Sequence, residues 1–321
     1  MDSKIRWSLP DGVDELLPPK ALEIETLRRK LIDSYIASGY DLIIPPLLEL
    51  SESIGGEAHE EIKSHAFSFK DNLTGKQLSI RPDISEQASR IDAFRIQSDD
   101  IVKLCYAGEV VKSKSSKALR SRTTIQVGAE IFGDSSSDAE FESINLMLQS
   151  LKIADVKKIT LSLGHAGFTA SVLGRFNKLK EDDLLKIEKA LSKKSKSDIH
   201  SLVPDSNEDK NLLLSLCDMF GGLEVIEKAR KEFSSVELIS DHLDHLSEMS
   251  DRLKDIDINL HIDLGEVQGF KYHNGLVFSA YTDSAGHILA KGGRYDGLRK
   301  SSDQDRPAVG FDLDLIAVSN L

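Results

Sequence analysis

Three short segments set polar side chains where a small ligand could meet them. In TTIQVGAEIF, residues 123–132, the two-residue period of an extended chain puts Gln126, Gly128 and Glu130 on one face and Ile125, Val127, Ala129 and Ile131 on the other. A glycine between an amide and a carboxyl leaves room for a small ligand above the strand. The same alternation also fits the solvent side of an edge strand. In SIRPDISEQ, residues 79–87, Pro82 ends a strand and frees its neighbours. Asp83 there could take an ammonium group in charge-assisted hydrogen bonds, with Ser85 adding an oxygen. Asp83 or Ser85 could equally cap the helix that follows. In KGGRYDGL, residues 291–298, paired glycines permit close approach of backbone or ligand beside Arg294, Tyr295 and Asp296. This is neither a Walker nor a dinucleotide-binding glycine loop.

Two further groups are weaker. Lys112, Lys114, Lys117, Arg120 and Arg122 lie among serines between two strands that read as a hairpin. Such a loop could cover a phosphate or meet an acidic partner, or simply be solvated. His242 and His245 stand at the i, i+3 spacing that can ligate a metal, but no third ligand is evident nearby, and the pattern also fits a surface helix.

The elements that position these residues follow from periodicity. Ala21, Ile24, Leu27, Leu31 and Tyr35 recur at helical spacing behind Pro18 and Pro19, with Gly39 as the stop. Residues 40–44 read as a short edge strand before Pro45 and Pro46. Strands are expected at 77–80, 102–111 and 124–132, a helix at 135–151, and a strand at 158–163. From 169 to 255 the texture changes to leucine, lysine and acidic residues at helical spacing. Strand patterns return at 259–264, 276–281 and 287–290, ahead of an apolar segment from Val309 to Val318. The expected fold class is therefore α+β: a core from residues 1–168 and 256–321, interrupted by a helical insertion at 169–255.

Bulk properties narrow the function. The chain of 321 residues has 40% apolar and 29% charged residues, an ordinary globular balance. A net charge of −12 opposes nucleic-acid binding at long range. Cys105 and Cys217 lie in no metal or disulfide spacing. No leader pattern and no run of about 18 apolar residues is present, so a cytoplasmic location without a membrane partner is expected.

Taken in order, GYDLIIPPLLE, IRPD, LCYAGEVV, QVGAEIFG, GFKYHNGLVF, GGRYDGL and PAVGF resemble the catalytic core of histidyl-tRNA synthetase, a class II aminoacyl-tRNA synthetase. The resemblance spans nearly the whole chain and implies an antiparallel sheet flanked by helices. It also implies a histidine pocket. Asp83, Ser85 and Gln126 would hold the amino group, and Glu130 would read the imidazole with Tyr272 and His273. Asp83 stands for a family glutamate, Ser85 for a threonine, and Tyr272 with His273 for a tyrosine pair.

Departures from the family pattern are as informative. Lys112 and Lys114 occupy the positions of the arginine and glutamate that grip ATP, Gln268 that of the arginine before the tyrosine pair, and Ala317 that of the motif 3 arginine. Lysine cannot copy the planar fork of arginine on a phosphate. Losing one preorganised donor costs about a hundred- to a thousand-fold in rate, so adenylate formation is expected to be absent. The chain also stops soon after Gly310, where a synthetase continues into an anticodon-binding domain, so no tRNA partner is expected.

This combination resembles the regulatory subunits of ATP phosphoribosyltransferase. The resemblance implies a chain with no catalytic residues, no metal and no cofactor. It further implies a hetero-octamer with the short-form catalytic subunit, a homodimer through the motif-1-like segment, and L-histidine as feedback ligand. The alternative is a synthetase paralogue that activates a free amino acid for an acceptor other than tRNA.

Overall fold

The computed structural model describes residues 8–54, 60–114, 121–176, 179–204, 209–266, 272–297 and 306–321. Its centre is a nine-stranded sheet in the order β1-β5-β6-β12-β11-β10-β7-β9-β8. These strands are β1 (Asp41–Leu42), β5 (Val102–Val111), β6 (Thr123–Phe132), β7 (Ile159–His165), β8 (Phe220–Gly221), β9 (Asn259–Asp263), β10 (His273–Thr282), β11 (Ala285–Asp296) and β12 (Pro307–Asp314). Pairing is antiparallel except for β1 with β5 and β7 with β9. A second sheet, β2-β4-β3, is built from β2 (Leu48–Leu50), β3 (Phe67–Lys70) and β4 (Gln77–Ile80).

Alternation along the central strands decides which face each helix covers. Val127, Ala129 and Ile131 of β6 join Val309, Phe311 and Leu313 of β12 in one apolar face. On that face lie α1 (Lys20–Ala37), α4 (Ser137–Ile153) and α11 (Leu315–Ser319). α1 buries Ile24, Leu31 and Tyr35, which its period marked, together with Ile32, while Ala21 and Leu27 are half-buried. Tyr35 meets Phe311 edge-on at 5.9 Å, and its hydroxyl reaches Ser150 Oγ of α4 at 2.8 Å. α4 starts where Ser136 accepts the Ala139 N–H, a cap that satisfies an otherwise orphaned donor.

The other face is polar, and it is not open to solvent. Gln126 and Glu130 are buried, with α3 (Ser85–Ile91) packed against β6, so β6 from Gln126 to Phe132 is buried on both sides. This removes the edge-strand reading of its alternation, because β6 runs between β5 and β12 well inside the sheet. α3 continues into a wider π-type turn at Asp92–Ile96, which ends at Gln97 in the left-handed region with φ 55°.

Between β7 and β9 the chain forms α5 (Ala166–Gly174), α6 (Glu181–Ser192), α7 (Lys196–Leu202), α8 (Lys210–Leu216), α9 (Glu224–Glu232) and α10 (Ile239–Leu253). Their apolar faces, including Phe168, Leu191, Leu213, Phe233 and Leu246, merge with the core beneath the sheet. The same segment supplies β8, which pairs with β9 at the sheet edge. The short α2 (Glu60–His65) precedes β3.

Candidate functional site

On the polar face, cross-strand register brings together residues far apart in sequence. Glu130 of β6 lies opposite Gly310 of β12, and Gly310 opposite Gly293 of β11. Gly128 lies opposite both Asp312 and Tyr106, and Asp312 opposite Lys291. A cavity of about 270 Å³ opens above this floor, lined chiefly by Ser85, Glu130, Tyr272, His273, Tyr295 and Asp312.

Glu130 occupies the bottom. Tyr106 Oη donates to its Oε1 at 3.1 Å and Tyr295 Oη to its Oε2 at 2.9 Å. Burial pushes the Glu130 carboxyl up to about 8, although Ser85 and the two tyrosines pull it down. Burial together with the Glu130 charge holds both phenols well above their ordinary value, so they remain donors. The carboxyl fits because Gly310 has no side chain: a Cβ there would sit 1.6 Å from Glu130 Oε2.

A hydrogen-bonded chain leads from Glu130 to the rim. Tyr106 Oη lies 2.9 Å from Ser85 Oγ, and the Ser85 N–H donates to Asp83 Oδ1 at 2.7 Å. Gln126 Nε2 donates to Asp83 Oδ2 at 3.1 Å, while Gln126 Oε1 accepts the Ile84 N–H at 2.8 Å. One Asp83 oxygen thus turns the chain toward α3 by accepting the Ser85 N–H, and the other faces Gln126. Tyr272 stacks on Tyr295 at 4.6 Å, and His273 meets Tyr272 edge-on at 5.0 Å. Burial pushes the Asp312 carboxyl up, against the pull of Lys291 and with the push of Asp83.

Of the six site residues expected from sequence, Ser85, Glu130, Tyr272 and His273 line one cavity, while Asp83 and Gln126 are linked to Ser85 by hydrogen bonds behind it. Gly128 does something other than expected. The space above it is filled by the Tyr106 phenol, whose oxygen would lie 2.5 Å from a Cβ at Gly128. That glycine makes room for a tyrosine, not for a ligand. Tyr106, Lys291 and Asp312 join the site without any signal in sequence, because only strand register brings them over β6.

Other motifs resolve differently. Arg294 leaves the pocket face and pairs with Glu140 of α4 at 2.5 Å, while donating to Asp134 O and Ser136 O at 2.8 Å each. Arg122 packs its guanidinium over Phe67 at 4.5 Å and donates to Asp11 O at 3.2 Å. Lys112 and Lys114 are exposed, while Lys117, Arg120 and Gln268 lie outside the described residues. Ala317 is buried in the first turn of α11, its N–H capped by Asp314 Oδ1 at 2.9 Å. His242 and His245 meet a third histidine. His165 stacks on His242 at 4.4 Å and lies 3.3 Å from His245 Nδ1, and His245 Nε2 reaches Glu140 Oε2 at 2.6 Å. Among the described residues no group is arranged to hold a metal ion, and no helix is long and apolar enough to cross a membrane.

Comparison with known proteins agrees with this geometry. Residues 12–318 match the histidyl-tRNA synthetase family. The ATP phosphoribosyltransferase regulatory subunit of Cellvibrio japonicus is 36% identical over 324 aligned residues, covering 98% of this chain and 81% of that protein. Among solved structures, the ATP phosphoribosyltransferase regulatory subunit/histidyl-tRNA synthetase of Bacillus halodurans superposes with a TM-score of 0.86 at 24% identity, over 100% of this chain and 84% of that one. The ATP phosphoribosyl transferase (HisG:HisZ) complex of Thermotoga maritima gives a TM-score of 0.67 at 19% identity, over 90% of this chain and 96% of that one. The last two bear on the fold, and it is the class II synthetase-like α+β fold. With the family match and the identity both running nearly end to end, the chain belongs to the ATP phosphoribosyltransferase regulatory subunits, relatives of histidyl-tRNA synthetase.

Proposed function

We propose that this regulatory subunit binds L-histidine in the cavity above Glu130 and uses it as a feedback signal, without chemistry of its own. The observation that carries the reading is the joining of Asp83, Ser85, Gln126 and Glu130, through Tyr106, by hydrogen bonds beside one cavity. Asp83 and Gln126 suit the ammonium group. Glu130, Tyr272 and His273 suit the imidazole, whose N–H would bring a buried carboxyl a further donor.

What surrounds the cavity does not suit adenylate chemistry. Ala317 offers no cation, and the exposed Lys112 gives a point charge where a planar fork would be needed. Asp312 lines the cavity and offers the phosphates of a nucleotide no cation. The expected consequence is no histidine-dependent exchange of pyrophosphate into ATP.

The regulatory reading needs a partner and a means of coupling. The partner is a short-form ATP phosphoribosyltransferase catalytic subunit, in a cytoplasmic hetero-octamer. A coupling of about 1–3 kcal/mol between histidine and the active assembly suffices for feedback. Self-association through the motif-1-like segment is supported by apolar side chains left in solvent along it: Leu42 is 45% exposed, Ile44 87% and Leu48 44%. Residues 1–168 and 256–321 would form the binding and dimerising core, with 169–255 as the insertion.

Mixing this chain with a short-form catalytic subunit and measuring phosphoribosyl transfer with and without histidine tests the reading. Activation by the chain and inhibition by histidine are expected. A rate indifferent to both would sink it.

A further inference from the structure

The proposed pocket accounts for the ammonium and the imidazole of histidine but leaves its carboxylate without a partner. The family arginine that would serve corresponds to Gln268, which is neutral. The acidic groups at or behind the cavity, Asp83, Glu130 and Asp312, offer an incoming carboxylate no positive partner. Among the described residues lining it, Lys291 is the one lysine or arginine.

Register fixes where that lysine stands. Lys291 of β11 is directly opposite Asp312 of β12, which is opposite Gly128 of β6. All three lie on the pocket face, one step along the strands from the row Gly293, Gly310 and Glu130. Lys291 is exposed, so its ammonium is at the mouth and not in the floor. A ligand whose imidazole reaches Glu130 would therefore carry its α-carbon toward the Lys291 row.

Resting on the histidine reading above, we propose that Lys291 binds the α-carboxylate of the ligand, with Asp312 opposite it positioning the lysine ammonium and sharing the ligand ammonium with Asp83. The arrangement matches a zwitterion. One cation meets one carboxylate, and the surrounding carboxyls meet one ammonium. A polyphosphate would meet several carboxyls and a single lysine, so the same pair that accepts an amino acid disfavours a nucleotide.

The test is calorimetric titration of the full chain with L-histidine and with histamine, which lacks the carboxylate. The unaltered chain is expected to bind histidine about 10- to 100-fold more tightly than histamine, the usual worth of one charge-assisted hydrogen bond. Lys291→Met should weaken histidine by a similar factor and leave histamine within about twofold, while Lys291→Arg keeps the preference. Since Lys291 is exposed, these variants are expected to fold. Equal losses for both ligands in Lys291→Met, or no preference in the unaltered chain, would overturn the assignment of Lys291 alone. Failure of the unaltered chain to bind histidine at all would overturn the pocket reading and this inference together.

Discussion

Glu130 of β6 and Glu140 of α4 are both 1% exposed, and their surroundings treat the buried carboxyl in opposite ways. Glu140 is paired on both oxygens with potential cations, Arg294 at 2.5 Å and His245 at 2.6 Å. Against the burial that pushes it up, these partners hold its carboxyl below the ordinary range. Glu130 has only the neutral hydroxyls of Ser85, Tyr106 and Tyr295 about its oxygens, and burial wins, pushing it up to about 8. A carboxyl whose charge is already compensated fastens elements together. One whose charge is poorly compensated beside a cavity is ready for a ligand that brings N–H groups. By that difference, the Glu140 cluster tethers α4, β11 and α10, and the Glu130 cluster is the one proposed to take a ligand.

The comparison breaks most easily at the ion pair. Glu140→Gln leaves the Arg294 guanidinium buried against a neutral partner and should cost about 3–5 kcal/mol in chemical denaturation. Glu130→Gln, which mimics the protonated carboxyl, should cost under about 1 kcal/mol at neutral pH. Similar losses in the two variants would erase the distinction. A smaller effect is expected from Gly310→Ala, whose methyl would overlap Glu130 Oε2. The strain should cost on the order of 1–3 kcal/mol and displace the carboxyl from the cavity floor. Unchanged stability and binding in that variant would show that Glu130 does not need the glycine gap.

The pH dependence sharpens the contrast further. Glu130 has a folded-state value raised from 4.5 to about 8, so its contribution to stability is fully present below about 4.5 and is lost as pH rises through about 8. A tenfold change in proton affinity is worth about 1.4 kcal/mol at most, and solvent entering the cavity reduces it. Glu130→Gln should remove this slope and exceed the unaltered chain in stability at pH 8, by an amount on the order of 1–2 kcal/mol. His165 has the opposite sign. Burial, then His242 and His245, lower it from 6.5 to about 3, so its contribution is present above 6.5 and lost as pH falls. His245 acts in the other window, since its bond to Glu140 raises its value: its contribution is fully present below 6.5 and is lost as pH rises above it. Melting curves that remain flat for the unaltered chain between pH 5 and pH 8 would contradict the state assigned to Glu130.

Much of this was legible from periodicity alone. α1, β5, β6 and α4 lie within a residue or two of where apolar spacing puts them, because each has a long, regular pattern. The two-residue β8 and the π-type turn after α3 carry no such pattern and depend on neighbours. At the site, residues sharing one strand face, such as Gln126 and Glu130, can be paired from their spacing. Tyr106 and Lys291 cannot, because strand register is a tertiary property. The third histidine escapes for the same reason, lying on β7, 80 positions from His245. The departures at Lys112 and Ala317 acquire meaning only through the family resemblance, since an alanine or an exposed lysine is ordinary anywhere.

The central claim is that histidine still occupies this pocket, as a signal. Calorimetric titration of L-histidine into the unaltered chain and into Glu130→Gln tests it most directly. The account predicts a saturable single site in the unaltered chain, weakened about 10- to 100-fold in the variant while its fold is retained. A flat titration at millimolar histidine, or equal affinity in the two proteins, would contradict it.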